Sequence, residues 1–496
     1  MGDARYRHVL VVPWSGEGHV AGMLRLAFLL ANHKALLVSF AYPARAHALT
    51  LKRGKLPNLP PSLRVHVVED GLPSPDHETL TLHQLRESSS VIVHFLEALL
   101  QSHLASSSAS LDLNSSIASF DGVDELDCSA RWPPICCIIS DTFLPRTQAL
   151  ADSFGIPRVD FWTGNATVYN IFRHVPLLLA KGVLPLSMNA GEESKVESES
   201  PLIDFIPGLP PCHVTQLPWD LLQPYDVSQP MVEFLINAFS VTKDAERILV
   251  HSVYELEKHV YDVMQAQGFP IYAIGPLFQA NSDPGTIRHE CLEWLDQQKP
   301  ASVVYVAFGT MTGLSLQEVQ SMALGLEASG HAFIWVIPKK PLCMTPDGSE
   351  MFLEDFMEQT VSQGKGCIVP WVPQMEVLRH SAVGAFVSHC GWNSVLESLW
   401  EGVPIVACSR VAEQNRNAKS VVEDWKVGIE MERNIDGSFT REAVQKAIQE
   451  IMGNQEVKTR ALQVKQVVRH AVGERGTSYS NLMSLVDYLL HLPIPK

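Results

Sequence analysis

Short, continuous apolar runs alternate with amphipathic stretches along the whole chain, and the alternation begins twice. In the first half the runs are His8–Pro13, Leu36–Tyr42, Leu63–Val68, Ile135–Ser140 and Pro157–Phe161. In the second they are Ser302–Phe308, Ala332–Ile337, Gly366–Pro370, Gly384–His389 and Val403–Cys408. They are rich in β-branched residues, which predicts strands buried on both faces. Segments between them, such as Gly22–Asn32 and Leu316–Ser329, carry apolar residues at helical spacing. Strand, helix, strand in series implies parallel sheets with right-handed crossovers. Each half opens with a strand, a small-residue loop and a helix: Val9–Pro13 in the first, Val303–Phe308 with Gly309-Thr310 in the second. The expected fold class is therefore α/β, with two Rossmann-like, doubly wound domains facing across a cleft.

The chain's 496 residues suit two such domains, and 46% hydrophobic with 19% charged residues is ordinary for a soluble globular protein. The net charge of −16 argues against a nucleic-acid or anionic-membrane partner. A small anionic ligand stays possible, because helix N-termini bind phosphate without net positive charge. Nine cysteines lie mostly in apolar runs and form no C-x-x-C pair. Neither a zinc ribbon nor a disulfide framework is indicated. The N-terminal apolar run is too short for a secretory signal, and no stretch reaches membrane-spanning length. A reduced, cytoplasmic protein without a membrane span is expected. Ala105–Ser119 and Gly191–Ser200 read as solvated loops, and Lys458–Leu492 reads as helical.

Gly16-Glu-Gly-His-Val-Ala21 matches the dinucleotide fingerprint between a strand and a helix. No Asp or Glu follows before Glu69 to hold a ribose, although Arg45 could serve a 2′-phosphate. The glycines alternatively just permit a tight turn. His19 stands at the carboxyl end of the first strand, the edge where open α/β sheets bind ligands. Asp141 closes another strand of the same domain. The two suit a base with its orienting acid, and Asp141 equally suits a helix cap.

The strongest signal runs from Trp371 to Gln414. A strand (Gly384–His389), a turn (Cys390-Gly-Trp-Asn-Ser) and a helix (Val395–Trp400) place Asn393 and Ser394 beside free helix amides, a seat for a diphosphate. Glu397 lies one turn on, where a carboxylate can accept from ribose hydroxyls. Trp371 offers a face for stacking a base. Glu413 and Gln414 offer polar groups for sugar hydroxyls. Singly each residue also fits a core, cap or surface role; the set on one short stretch favours the nucleotide-sugar reading.

This stretch resembles the donor-binding signature box of plant family 1 UDP-glycosyltransferases, W-x-P-Q … H-C-G-W-N-S … E … G-V-P … (D/E)-Q. Further matches fall in the family's order: Gly18-His19, Ile138–Asp141, Ile156-Pro157, Phe161-Trp162-Thr163, Pro207-Gly208-Leu209, Glu255-Leu-Glu, Ile274-Gly-Pro-Leu, Trp294-Leu-Asp and Ser302–Thr310. The resemblance implies the GT-B fold. Residues 1–255 would form the acceptor-binding domain, 256–280 a linker and 281–465 the UDP-sugar domain, with a C-terminal helix at 466–496 packing back on the first domain.

It also implies roles. His19 would be the general base and Asp141 its partner. Trp371 would lie on the uracil, with the Val372 backbone on the base edge and Gln374 near the ribose. His389, Asn393, Ser394 and Thr310 fall at diphosphate positions and Glu397 at the ribose. Thr163, Trp392, Glu413 and Gln414 fall around the sugar, and Ala412 on the acceptor side. Glu17, His251 and Cys408-Ser409 depart from the family's usual residues. The implied activity is inverting transfer of glucose from UDP-glucose to a hydroxyl of a small apolar acceptor: a flavonoid, other phenolic, terpenoid or hormone. Acceptor choice would rest on Gln84–Leu104 and Thr163–Val183, expected as loops. No D-x-D pair occurs, so neither a metal nor another cofactor is expected, and the enzyme would act as a monomer. A nicotinamide-dependent oxidoreductase would leave Trp371–Gln414 unexplained. A non-catalytic UDP-sugar sensor would lack a base, and His19 and Asp141 are both present.

Overall fold

The computed structural model describes residues 6–52, 58–73, 80, 82–105, 132–184, 201–223, 225–278, 289–309, 314–337, 364–434 and 437–495, together with 356, 358 and 360. Thr310, residues 106–119 and Gly191–Ser200 lie outside them.

The first half supplies strands β1 (Arg7–Val12), β2 (Leu36–Pro43), β3 (Leu63–Val68), β4 (Ile135–Asp141) and β5 (Arg158–Trp162). After a short antiparallel pair, β6 (Leu202–Ile203) with β7 (Cys212–His213), come β8 (Arg247–Val250) and β9 (Ile271–Ala273). The second half supplies β10 (Val303–Ala307), β11 (Ala332–Val336), β12 (Gly366–Val369), β13 (Val383–Ser388), β14 (Ile405–Ala407) and β15 (Gly428–Glu430). Among the described residues these form two parallel sheets, in the orders β3-β2-β1-β4-β5-β8-β9 and β12-β11-β10-β13-β14-β15. Each is a doubly wound Rossmann-like sheet, and together they make the GT-B architecture.

The two halves share a detail of register. The β1–β4 pairing shifts between His8 and Val9, and the β10–β13 pairing shifts between Val303 and Val304. In each sheet the strand order reverses at this central pair. Such a switch point opens a crevice at the carboxyl ends of the two strands.

Burial explains why the runs are continuously apolar. Leu10 and Val12 face one core layer, with Leu96 from the helix Leu82–Ala105. Val9 and Val11 face the opposite layer, with Met23 and Leu26 from the helix Glu17–Ala31. All four strand residues are fully buried. Each such side chain contributes about 1.5–3 kcal/mol. β10 repeats the arrangement, with Val304 and Val306 on one side and Val303 and Tyr305 on the other.

Two expectations need correction. Residues 256–280 do not act only as a linker: they carry most of the helix Tyr254–Ala266 and the edge strand β9 of the first sheet. The segment Gln84–Leu104, expected as a loop, lies within the helix Leu82–Ala105. Its leucines and isoleucine at helical spacing (Leu85, Ile92, Leu96, Leu99) seat it on the sheet. Similarly, Thr163–Val183 contains the helices Ala166–Arg173 and Val175–Ala180.

The C-terminal region is two helices. Gln455–Val472 packs Ala461, Val464 and Val468 against Val395 and Leu399 of the second half. Thr477–His491 returns to the first half, where Leu485 and Leu489 join the layer behind β1. Ser478 Oγ donates to the Gly275 carbonyl at 2.6 Å and Asn481 Nδ2 to the Ala273 carbonyl at 2.8 Å.

Candidate active site

Both clusters of site residues stand at the switch points. The loop after β1 leads into the helix Glu17–Ala31, which places His19 in its first turn. Asp141 ends β4, the neighbouring strand. The switch thus brings together two residues far apart in sequence: His19 Nδ1 lies 2.7 Å from Asp141 Oδ2. Asp141 is fully buried, while the His19 side chain is 20% exposed. The other carboxylate oxygen, Asp141 Oδ1, accepts from the Phe143 backbone N–H at 2.9 Å. The carboxylate is therefore held from both sides and fixes the ring. With Nδ1 protonated toward Asp141, Nε2 is a lone-pair acceptor, and it has no protein partner among the described residues. Thr163, expected near the sugar, has its hydroxyl 2.9 Å from His19 Nδ1. Trp14 and Phe143 flank the His19 ring, with centroids 5.0 and 5.4 Å away.

At the second switch point, His389 and the helix Trp392–Glu401 follow β13. The helix begins slightly earlier than the sequence suggests, with Gly391 as N-cap, so Asn393 and Ser394 sit in its first turn. His389 is wedged between two glycines. A Cβ on Gly391 would come within 2.4 Å of its Nε2, and one on Gly309 within 2.7 Å. Burial pushes the His389 pKa down to about 4, so the ring is neutral at pH 7 and offers a dipole rather than a charge.

The residues expected around the nucleoside are already interlinked. Tyr305 donates to Gln374 Oε1 at 2.8 Å. Gln374 Nε2 donates to Ser394 Oγ at 3.0 Å and to Glu397 Oε2 at 2.7 Å. The second Glu397 oxygen accepts from Arg25 Nη2, at 2.7 Å, across the cleft. Trp371 is half-buried just past β12, its ring edge-on to His289 at 5.6 Å. Val372 is buried beside it.

The remaining residues divide. Trp392, expected near the sugar, has its indole N–H committed to the His251 carbonyl at 2.7 Å, and its ring packs in the core with Trp425. The side chain is a structural wedge between the halves. Gln414 Oε1 accepts from the Arg410 and Val411 backbone amides at 3.0 and 3.1 Å, and its NH₂ group has no acceptor among the described residues. Burial raises the Glu413 pKa, an effect that nearby His19 opposes. Ala412 takes a left-handed φ of 55°, and its carbonyl accepts from the Trp219 N–H at 2.8 Å. Asn393 Nδ2 donates to the Gly18 carbonyl at 3.0 Å, so the two clusters touch. The Asn393 side-chain oxygen is buried without a partner among the described residues.

Several residues here carry no local sequence signal. Arg25 is one of them. Asn165 is another, reaching Asn417 across the halves at 2.7 Å. Asp220 is a third: burial, then the Glu413 charge, raise its pKa to about 7. His251, a departure from the family pattern, is fully buried, and burial with the Arg25 charge lowers its pKa to about 3. Its Nε2 accepts from the Leu277 N–H at 3.1 Å. It is thus a neutral bracket between segments rather than a proton carrier.

Residues 237–471 match the family described as UDP-glucoronosyl and UDP-glucosyl transferase. The chain is 31% identical to UDP-glycosyltransferase 85A1 of Arabidopsis thaliana, over 97% of this chain and 94% of that enzyme. It is likewise 31% identical to 7-deoxyloganetin glucosyltransferase of Gardenia jasminoides, over 97% and 98% of the two chains. Among solved structures it resembles UDP-glucose:anthocyanidin 3-O-glucosyltransferase in complex with UDP, with TM-score 0.78, 25% identity and 99% of each chain covered. The coverage extends across both halves and both switch points, and on that basis the chain belongs to the plant UDP-glycosyltransferases and is an enzyme of that family.

Proposed function

We propose that this enzyme transfers glucose from UDP-glucose to a hydroxyl of a small, largely apolar acceptor, with inversion at the anomeric carbon. The observation that carries the reading is the free Nε2 of a histidine whose Nδ1 is held by the buried Asp141. The acceptor hydroxyl meets Nε2, which takes its proton as the oxygen attacks C1 from the face opposite the diphosphate. The C1–O bond to UDP breaks, and its electron pair leaves with the diphosphate. Asp141 stabilises the imidazolium. The developing charge falls on the first turn of the helix Trp392–Glu401, on the Asn393 and Ser394 side chains and on the His389 ring. Thr310 belongs to the same proposal. Absence of a D-x-D pair supports metal independence. Trp371, Val372, Gln374 and Glu397 would hold the nucleoside, and Glu413 and Gln414 the sugar, with Ala412 toward the acceptor. A monomer in a reducing, cytoplasmic compartment completes the reading; the described cysteines are unpaired.

A mass-spectrometric screen of UDP-glucose against a mixed panel of acceptors, run before and after exhaustive EDTA treatment, tests it. Hexose addition in both arms is expected. No product with any acceptor would remove the proposed activity, and activity restored only by magnesium would remove metal independence.

Glu397→Ala is expected to raise the Kd for UDP about 10-fold. Two ribose hydroxyls would each gain about 1.5–3 kcal/mol from a charged acceptor, but the carboxylate must first give up Arg25 and Gln374, so only part survives as net affinity. Calorimetry with UDP alone reads the result; an unchanged Kd would mean that the Arg25 link is the residue's whole role.

Gln414→His is expected to raise use of UDP-galactose relative to UDP-glucose, at a cost in total rate. The two sugars differ in the orientation of one hydroxyl, which a hydrogen-bonding group discriminates better than an apolar wall. The rate falls because an imidazole cannot accept both the Arg410 and Val411 amides. Competing the two donors in one vessel gives the ratio, and a ratio equal to that of the unmodified enzyme would contradict the assignment.

A further inference from the structure

The helix Leu82–Ala105 is tied to the loop that presents His19. Trp14 Nε1 donates to the Leu85 carbonyl at 2.9 Å, and Ser88 Oγ donates to Ser15 Oγ at 3.1 Å. Arg86 projects from this same turn. Its guanidinium carbon lies 5.6 Å from the centroid of the Phe234 ring. Its Nε is buried and has no acceptor among the described residues.

Phe234 stacks on Trp14 with centroids 6.4 Å apart and meets Phe143 edge-on at 5.1 Å. Those two rings flank His19. A run of buried aromatic rings therefore links the base to the guanidinium, with each ring 5–6.4 Å from the next. At the far end a cavity of about 260 Å³ is lined by Arg86 and Arg146, with Leu144, Phe234 and Asn237. Glu87 borders it too, but faces His83 at 3.6 Å. Two guanidinium groups thus meet at one cavity in a chain of net charge −16. A buried donor left unpaired is unfavourable, and a guanidinium fork matches a carboxylate better than any neutral group.

We propose that Arg86 selects acceptors that carry a carboxylate at the end remote from the reacting hydroxyl, with an aromatic or cyclic body bridging His19 and the cavity. This rests on the glucosyl transfer proposed above and names its substrate class. It also fixes the product. The carboxylate is held away from His19, so it is not the nucleophile. The hydroxyl oxygen bonds to C1, its proton passes to His19 Nε2, and UDP leaves with the electron pair. The product is a glucoside that keeps a free acid, stable to mild alkali, rather than a glucose ester.

The test compares hydroxyaryl alkanoic acids of increasing chain length with their methyl esters, using UDP-glucose and the full chain. For the matching length, kcat/KM should favour the acid by about 10- to 100-fold, mainly through KM, as a charge-assisted hydrogen-bond pair allows. Arg86→Gln should abolish that preference, and an unchanged Kd for UDP shows that the variant is folded. Arg86→Lys should retain part of the preference. Equal use of acid and ester by the unmodified enzyme, a preference that survives Arg86→Gln, or an alkali-labile product would overturn the proposal while leaving glucosyl transfer intact. Failure to glucosylate any acceptor, charged or neutral, would overturn the glucosyl-transfer reading and this one with it.

Discussion

His19→Ala is expected to lower kcat/KM for an aliphatic alcohol acceptor by about 10²- to 10⁴-fold, the range that a positioned general base contributes. The Kd for UDP should stay within about twofold, since the lost side chain makes no hydrogen bond to the residues proposed to hold the nucleotide. The hydrogen bond that links the clusters in this loop, Asn393 Nδ2 to the Gly18 carbonyl, uses that loop's backbone and survives the change. Removing the ring opens space between Trp14 and Phe143, so acceptor KM is expected to change as well. A paired measurement of transfer rate and UDP affinity on the same preparation separates a missing base from a misfolded site.

Asp141→Asn should be comparably damaging, with a loss of up to about 10⁴-fold in kcat, as for the corresponding change in the serine-protease triad. The geometry explains the cost. Asp141 accepts on both oxygens, from the Phe143 amide and from His19 Nδ1–H. An asparagine has a single carbonyl oxygen. The buried Phe143 N–H claims it, which turns the NH₂ group toward His19 and favours the tautomer with Nε2 protonated. That tautomer cannot accept a proton from the substrate. The Thr163 hydroxyl, 2.9 Å from Nδ1, is the remaining acceptor that can restore the working tautomer. Thr163→Val in the Asp141→Asn background should therefore reduce the residual rate further. If the double variant equals the single one, Thr163 does not orient the ring.

The strands were legible where the runs were long. Each run is a strand in the sheet predicted for its half, because strands buried on both faces need few polar residues; β3, at the sheet edge, is the exception, with half-buried Arg64 and His66. The helix Leu316–Ser329 has the same limits in sequence and structure. A Ser315–Glu318 capping box starts it, and Gly330 in the left-handed region ends it. The strands of the two parallel sheets that sequence reading missed, β8, β9 and β15, are three or four residues long. At that length neither period nor composition separates a strand from a turn.

In the site, position was legible and partnership was not. The placement of His19 and Asp141 at strand ends follows from sequence, but their contact depends on β1 and β4 being neighbours at the switch point. Arg25 pairs with a residue of the other half, and nothing near it in sequence signals this. Trp392 shows the opposite case: a residue type suited to stacking on a ligand is consumed by packing between the halves.

The account stands most directly on proton removal by His19. It is tested by measuring kcat/KM for the unmodified enzyme and His19→Ala across acceptors of one skeleton whose hydroxyl pKa ranges from that of an alcohol to that of an acidic phenol. An ionised phenol needs no base, so the deficit of His19→Ala should shrink steadily as acceptor pKa falls toward the assay pH. A deficit of the same size for every acceptor would show that His19 shapes the site without taking the proton, and would contradict the mechanism.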